Sequence, residues 1–479
     1  MNELVERCEL APGFTISRIL TGLWQIADME RDGHSLDLKA AADAMAPYVE
    51  AGFTTFDMAD HYGSAEKIAG LFQKENGPRI QLLTKWVPTP GPVTREEIRS
   101  AVQRSLDRMQ ATRLDLLQFH TWNYADPVWW DCLYWLQELK QEGLICQLGL
   151  TNVDTTHLRI VINSGIEVVS NQVCFSLLDQ RAKKGMTELC LQNGIKLLAF
   201  GTVAGGFLTE HWLGKPEPSL DELVTWSQMK YKRFIDAAGG WMVFQELLHK
   251  VDQIAQRLGA SMANVACRYI LEEPAVGGII IGARLGQSDH IQNNLRVFQF
   301  SLDELSRSKI GDMLARLKPI PGDCGDEYRR PPFLTASGDL SHHVESFPLP
   351  YEPQSSEGGH TVVLSGKGRA VRRENHISIS ATDATYGDRV IGGKDPVAQY
   401  HFVVDKIEGA LFSLGGRLED IVCTTVNIRD AADTGAVAGA HEERFRGIRT
   451  AHTLTQAKLE GEACLVEIQA EAVVKKPDR

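Results

Sequence analysis

Four side chains able to move protons stand at similar places in the sequence. Asp57 closes the β-branched and apolar run Thr54-Thr55-Phe56-Asp57, and Tyr62 follows five residues later beside the turn-forming Gly63. Lys85 closes Ile80-Gln81-Leu82-Leu83-Thr84-Lys85, and His120 closes Leu114-Asp115-Leu116-Leu117-Gln118-Phe119-His120. A phenol, with an ordinary pKa of about 10, is a poor acid at neutral pH. An ammonium beside it favours the phenolate and eases proton release. Singly, each residue has an ordinary explanation: Asp57 as a helix N-cap, Tyr62 as a core aromatic, Lys85 as a surface charge, His120 as a satisfied core histidine. Together, each at the end of a strand-like run, they point to one acid–base site.

Parallel neighbouring strands would bring the four to one rim. Strand-like runs are expected near Ser17–Leu23, Thr54–Met58, Gln81–Lys85, Leu114–His120, Gln147–Thr151, Val168–Gln172, Lys196–Phe200 and Gly278–Gly282. Helical patterns such as Arg95–Met109 and Trp129–Glu142 lie between them. Eight strands alternating with helices predict an α/β fold, a closed (β/α)8 TIM barrel over residues 1–320, with catalysis at the C-terminal rim. An open doubly wound sheet is disfavoured because no G-x-G-x-x-G follows an early strand. Residues 201–240 read as an inserted lid, followed by helices over Val243–Leu258 and Ser261–Leu271. Proline- and glycine-rich text then marks a linker over 321–359. An α+β domain is expected over 360–479, with paired strands at Gly368–Arg372 and His376–Ala381, a helix Pro396–Leu414, a strand Asp420–Val426, a helix Val437–Phe445 and a strand Leu465–Val474.

Asp57, Tyr62, Lys85 and His120, in this order and context, resemble the catalytic tetrad of the aldo-keto reductases. The resemblance implies an NAD(P)-dependent oxidoreductase that interconverts an aldehyde or ketone and an alcohol by hydride transfer. Tyr62 would be the acid/base, Lys85 its activator, Asp57 the partner of Lys85, and His120 the group that orients the carbonyl. Histidine at this place, where other members carry glutamate, favours C=O over C=C chemistry. The cofactor contacts implied are Gly22, Leu23 and Trp24 at the nicotinamide ribose, Thr151, Asn152 and Gln172 at the carboxamide, and Phe200 stacked on the ring, together with Asp57. Gly282, Arg284, His290 and Asn294 resemble the segment holding an adenosine 2′-phosphate, with Arg284 as the fork. NADP(H) is therefore expected, with NAD(H) the alternative, because the segment ends in Asn293-Asn294 where Glu-Asn is common. Trp24, Trp86, Trp122 and Asn123 follow rim positions and are expected to line the substrate pocket.

Residues 360–476 resemble the Rid (YjgF-like) family of small trimeric proteins, many of which hydrolyse enamines and imines. The matching text is Ser365-Gly366-Lys367-Gly368-Arg369-Ala370-Val371, Gly415–Val422 and Leu465–Ala472. The carboxylate-binding arginine of active members falls on His452, a poor replacement for a bidentate fork, and Glu467 matches the water-positioning glutamate. The resemblance implies an assembly role and a homo-oligomer, with a trimer through this domain. Two alternatives stay open: a bifunctional protein whose C-terminal domain processes an imine or binds a small metabolite, and a cofactor-bound regulatory subunit without catalysis.

Bulk properties exclude some partners, and the small-molecule carbonyl or alcohol substrate is what the first resemblance implies. The 62 acidic against 50 basic residues argue against a nucleic-acid surface. Nine cysteines without a C-x-x-C pair give no metal site or disulfide framework. The charged start resembles no signal peptide and no run approaches a membrane span, so a cytoplasmic setting is expected.

Overall fold

A computed structural model of the chain describes residues 4–77, 79–356, 358–366 and 368–475. The first three residues, Lys367 of the Rid-like text and Glu357 of the expected linker lie outside the described residues. A hairpin comes first, β1 (Arg7–Ala11) and β2 (Phe14–Ser17). Eight parallel strands follow: β3 (Ile19–Gly22), β4 (Thr55–Asp57), β5 (Gln81–Trp86), β6 (Leu114–Phe119), β7 (Ile145–Thr151), β8 (Ser170–Cys174), β9 (Lys196–Phe200) and β10 (Val276–Gly282). They pair in sequence order, and β10 closes on β3 to make a barrel without edges. Leu20, Leu83, Leu116 and Leu198 fill its lower interior, and Leu10, Phe14 and Ile16 of the hairpin pack against them as a plug. The expected first strand is thus split, because residues up to Ser17 belong to the hairpin. Helix Arg95–Met109 runs as expected, held at its start by the Thr94–Glu97 capping box. The lid contains a helix absent from the sequence reading, Trp226–Ala237.

The C-terminal region is α+β, as expected. Its strands are β11 (Gln354–Ser356), β12 (Gly359–Val363), β13 (Arg369–Arg373), β14 (His376–Asp383), the small pair β15 (Thr385–Tyr386) and β16 (Arg389–Val390), β17 (Ile421–Ile428), β18 (Ala451–Gln456) and β19 (Val466–Val473). Seven of them form one sheet in the order β11-β12-β13-β14-β19-β17-β18. Helix Pro396–Ser413 is buried almost all round, which requires cover on two sides. The sheet supplies one side and the barrel the other. Phe402 meets Trp130 edge to face at 5.8 Å, and a Cβ on Gly409 would lie 2.3 Å from the Ala125 carbonyl oxygen. Arg159 of the barrel pairs with Asp395 at 2.5 Å, and the Tyr386 hydroxyl donates to Asp131 at 2.6 Å.

The expectation of a linker over 321–359 is corrected for its first part. Cys324 and Glu327 are fully buried and Phe333 and Leu334 nearly so, because this stretch crosses the barrel mouth. Its anchor is Arg181, whose Nη2 lies 2.8 Å from Glu327 and 2.7 Å from Asp179. No helix among the described residues is long and apolar enough to cross a membrane.

Candidate active site

The ends of β4, β5 and β6 bring Asp57, Lys85 and His120 to the same rim. The Lys85 ammonium donates to Asp57 Oδ2 at 2.7 Å and to the Met58 carbonyl at 2.9 Å. Asp57 Oδ1 accepts from Gln118 at 3.1 Å and from Gln172 at 2.7 Å. Such full hydrogen bonding is what makes a buried ion pair tolerable. Tyr62 leans over this pair, with Lys85 Nζ 4.9 Å from its ring centre, and Trp24 meets it edge to face at 4.9 Å.

The expected acidification of Tyr62 is not what the surroundings produce. Burial, reinforced by the charge of Asp57, pushes the phenol well above its ordinary value. Burial also pulls Lys85 down, against Asp57. His120 is held neutral, its pKa driven well below the ordinary value by burial and the nearby Arg329. Its Nδ1 lies 3.2 Å from the Thr151 carbonyl oxygen, which can only accept, so Nδ1 carries the proton. Nε2 is buried, has no partner among the described residues, and is left with a lone pair. It therefore suits the O–H of an alcohol, or of Tyr62, where the sequence reading gave it a carbonyl oxygen to orient.

The expected cofactor residues divide into two groups. Asn152 adopts a left-handed backbone (φ 56°) and its buried Oδ1 has no partner among the described residues, which fits the amide of a carboxamide. Gly22, Leu23 and Trp24 stand at the end of β3, where a Cβ on Gly22 would meet Ile280 at 2.7 Å. Phe200 ends β9 with the Lys230 ammonium 4.8 Å from its ring centre. By contrast, Gln172 gives its amide to Asp57 and Gln118, and the Thr151 hydroxyl donates to the Gln172 carbonyl at 3.2 Å. Both brace the rim. Gly282 is exposed beside Gln25, His290 directly precedes helix Ile291–Arg296 without a side-chain capping bond, and Asn294 is buried inside that helix. The Arg284 fork is already engaged, by Asp28 at 2.9 Å and Gln287 at 3.0 Å.

Among the expected pocket residues, Trp24 faces Tyr62 and Trp226, whereas Trp86 is buried against Phe119 at 5.7 Å. Trp122 stands edge to face on His120 at 4.7 Å and also lines a recess with Asn123, Phe347 and Pro348. Asn123 Oδ1 accepts from the Ala125 amide at 3.0 Å and so holds a turn. Three residues of the mouth escaped the sequence reading: Trp226, Lys230 and Tyr328. They come from the lid and from the supposed linker, where no periodic pattern marks them.

The model of the aldo/keto reductase family matches residues 18–314. This chain belongs to the aldo/keto reductase family. Among its relatives, the uncharacterized oxidoreductase YqkF of Bacillus subtilis is 28% identical over 49% of this chain and 75% of its own. The NADH-specific methylglyoxal reductase of Escherichia coli is 23% identical over 64% of this chain and 96% of its own. The solved glycerol dehydrogenase of Gluconobacter oxydans covers 66% of this chain and 97% of its own with a TM-score of 0.56 at 21% identity, a likeness of fold. The family match ends before Tyr328 and before the C-terminal sheet.

In that sheet the structure separates the two residues expected to share a pocket. His452 pairs with Thr424, whose hydroxyl it meets at 3.1 Å, and stacks on His441 of helix Thr434–Arg444 at 3.6 Å. Glu467 pairs with Asn427 and accepts its amide at 3.2 Å. Thr424 and Asn427 are three residues apart in the regular part of β17, so they face opposite sides. His452 is on the helix side and Glu467 on the open side.

Proposed function

We propose that the protein is a nicotinamide-dependent oxidoreductase interconverting an aldehyde or ketone and an alcohol. The observation that carries this reading is the buried Asp57–Lys85 pair under Tyr62, with the idle Nε2 of His120 at the end of the next strand of the same rim. A bound nicotinamide dinucleotide supplies or takes up the hydride. Tyr62 exchanges the proton with the substrate oxygen. Lys85 stabilises the tyrosinate left behind, and Asp57 keeps Lys85 charged against its burial. In the alcohol direction the one hydroxyl hydrogen passes to the Tyr62 oxygen, so His120 Nε2 holds it only before the transfer and packs beside the reacting oxygen during it.

For the cofactor, NADP(H) rests on Arg284, whose Nη2 is without a partner among the described residues. NAD(H) is the second reading, favoured by the carboxylate of Asp28 on the same guanidinium. The C-terminal region serves assembly in this reading, with a Rid-like homotrimer as its proposed form. Separation of His452 from Glu467 supports a role without imine hydrolysis.

Substituting Tyr62→Phe tests the central claim. Turnover is expected to fall by about 10³-fold while cofactor binding, titrated with NADPH and NADH through tryptophan fluorescence, stays within about threefold. A Tyr62→Phe protein with undiminished turnover would falsify it.

A further inference from the structure

A second phenol–ammonium pair faces the first across the mouth. Tyr328 arrives from the short turn Asp326–Tyr328, beyond the family match, and Lys230 from the lid helix. Lys230 Nζ donates to the Tyr328 hydroxyl oxygen at 2.7 Å. The hydroxyl's own proton has no acceptor among the described residues. The tyrosine ring is only partly buried and stands 6.0 Å from the His120 ring and 6.4 Å from that of Trp122. Its ionisation and that of Tyr62 oppose each other, which places the two phenols in one electrostatic neighbourhood.

Both partners are fixed. Glu327, next to Tyr328, is buried on Arg181 at 2.8 Å, and Arg181 Nε donates to Asp179 at 2.9 Å. Lys230 is boxed by Phe200, Tyr231, Phe234 and Tyr328, with its nitrogen 4.6 to 5.7 Å from the four ring centres. Burial opposes its charge, but Tyr328 and Glu327 more than offset this and hold its pKa above the ordinary lysine value. A cation on the phenol oxygen polarises the O–H bond and strengthens it as a donor.

We propose that Tyr328, held by Lys230, is a specificity-determining donor that selects substrates carrying a second oxygen beside the reacting carbonyl or alcohol carbon. The proposal rests on the oxidoreductase reading and refines it. The reacting oxygen lies between Tyr62 and His120, and Tyr328 packs next to His120, so the second oxygen falls within a few atoms of the first. A methyl group in its place leaves a desolvated donor unpaired, which sites of this kind penalise strongly.

The test compares 2-hydroxypropanal with 2-methylpropanal, which exchange a hydroxyl for a methyl at one position. Wild-type kcat/KM is expected to favour the hydroxyl compound by about tenfold or more. In Tyr328→Phe that ratio falls to about one, and in Lys230→Met it falls part of the way. Cofactor titration by tryptophan fluorescence shows that each variant is folded. A wild-type ratio near one, or a ratio that survives Tyr328→Phe, overturns the proposal while leaving the oxidoreductase reading intact. A wild-type protein that binds cofactor but turns over no aldehyde, ketone or alcohol overturns both.

Discussion

Two fully buried histidines, one in the barrel mouth and one where the barrel meets the C-terminal region, show opposite arrangements. His157, on helix Thr155–Asn163, has both ring nitrogens occupied, Nδ1 by Asp154 at 2.7 Å and Nε2 by Asp405 of the C-terminal region at 3.0 Å. Burial alone would lower its pKa, but the two carboxylates raise it to about 9, so it is an imidazolium at neutral pH. Arg444 closes the cluster by pairing with Asp405 and with Glu408. His120 has one nitrogen on a carbonyl, no carboxylate, and is held neutral. Burial of a titratable group therefore does not mark the site. The difference between the two is a buried ring nitrogen without a partner among the described residues, which His120 has and His157 lacks.

Exchanging the two histidines for uncharged residues should give opposite signatures. His120→Leu is expected to lower kcat by about 10²–10⁴-fold, read by nicotinamide absorbance, with little change in unfolding. Asp405→Asn, which breaks the charge pairing of His157, is expected to cost about 3–5 kcal/mol of stability in urea unfolding, while kcat per folded molecule stays near wild type. A drop in kcat as large as that of His120→Leu would erase the distinction.

A pH series sharpens it. His157 has an ordinary pKa of 6.5 and a folded value of about 9, so its stabilisation is complete below the first and fades as pH rises through the second. Asp154 and Asp405 are held below the ordinary carboxylate range, against their burial, by His157 and, for Asp405, first by Arg444. Their contribution is present above that range and fades only in strong acid. Glu408, Arg444, Asp323, Asp326, Arg329 and Arg330 also face this cluster, and His401 is kept neutral by burial at about 3. The interface should thus hold best near neutral pH. Between pH 7 and 10, wild type is expected to lose roughly 3 kcal/mol more than His157→Gln in urea unfolding. Parallel curves for the two proteins would refute the assignment.

The legibility of these features differed for a physical reason. Asp57, Lys85 and His120 are written at strand ends, and strands of a parallel barrel announce themselves as short apolar runs. Helix Pro396–Ser413 was equally plain from its spacing. His157 gave no signal, since its two partners are local in one case and 248 residues distant in the other. Tyr328 and Lys230 were hidden similarly: one sits in a proline-rich stretch that looked like a linker, the other in a lid helix. The facing of His452 and Glu467 depends on strand register, which the sequence leaves open until β17 is paired.

Arg329 joins the two regions and offers the smallest of the expected effects. Its guanidinium stacks over Tyr124 at 4.4 Å, and Tyr124 in turn lies flat on His157 at 3.4 Å. On its other side it donates to the Thr121 carbonyl and, at 2.6 Å, to the carbonyl of Asn152. Those two residues directly follow His120 and Thr151, so one fork pins the strand ends that present His120 and Asn152. Asn152 needs such support, because its left-handed backbone is an uncommon choice outside glycine. Arg329→Lys keeps the charge but cannot hold two carbonyls in a fixed plane. The expected loss is about 1–2 kcal/mol, distributed between unfolding free energy and cofactor affinity. The share found in affinity measures how far the interface supports the mouth: a variant that loses stability but binds NADPH and NADH as wild type does would show that the two histidine clusters act independently.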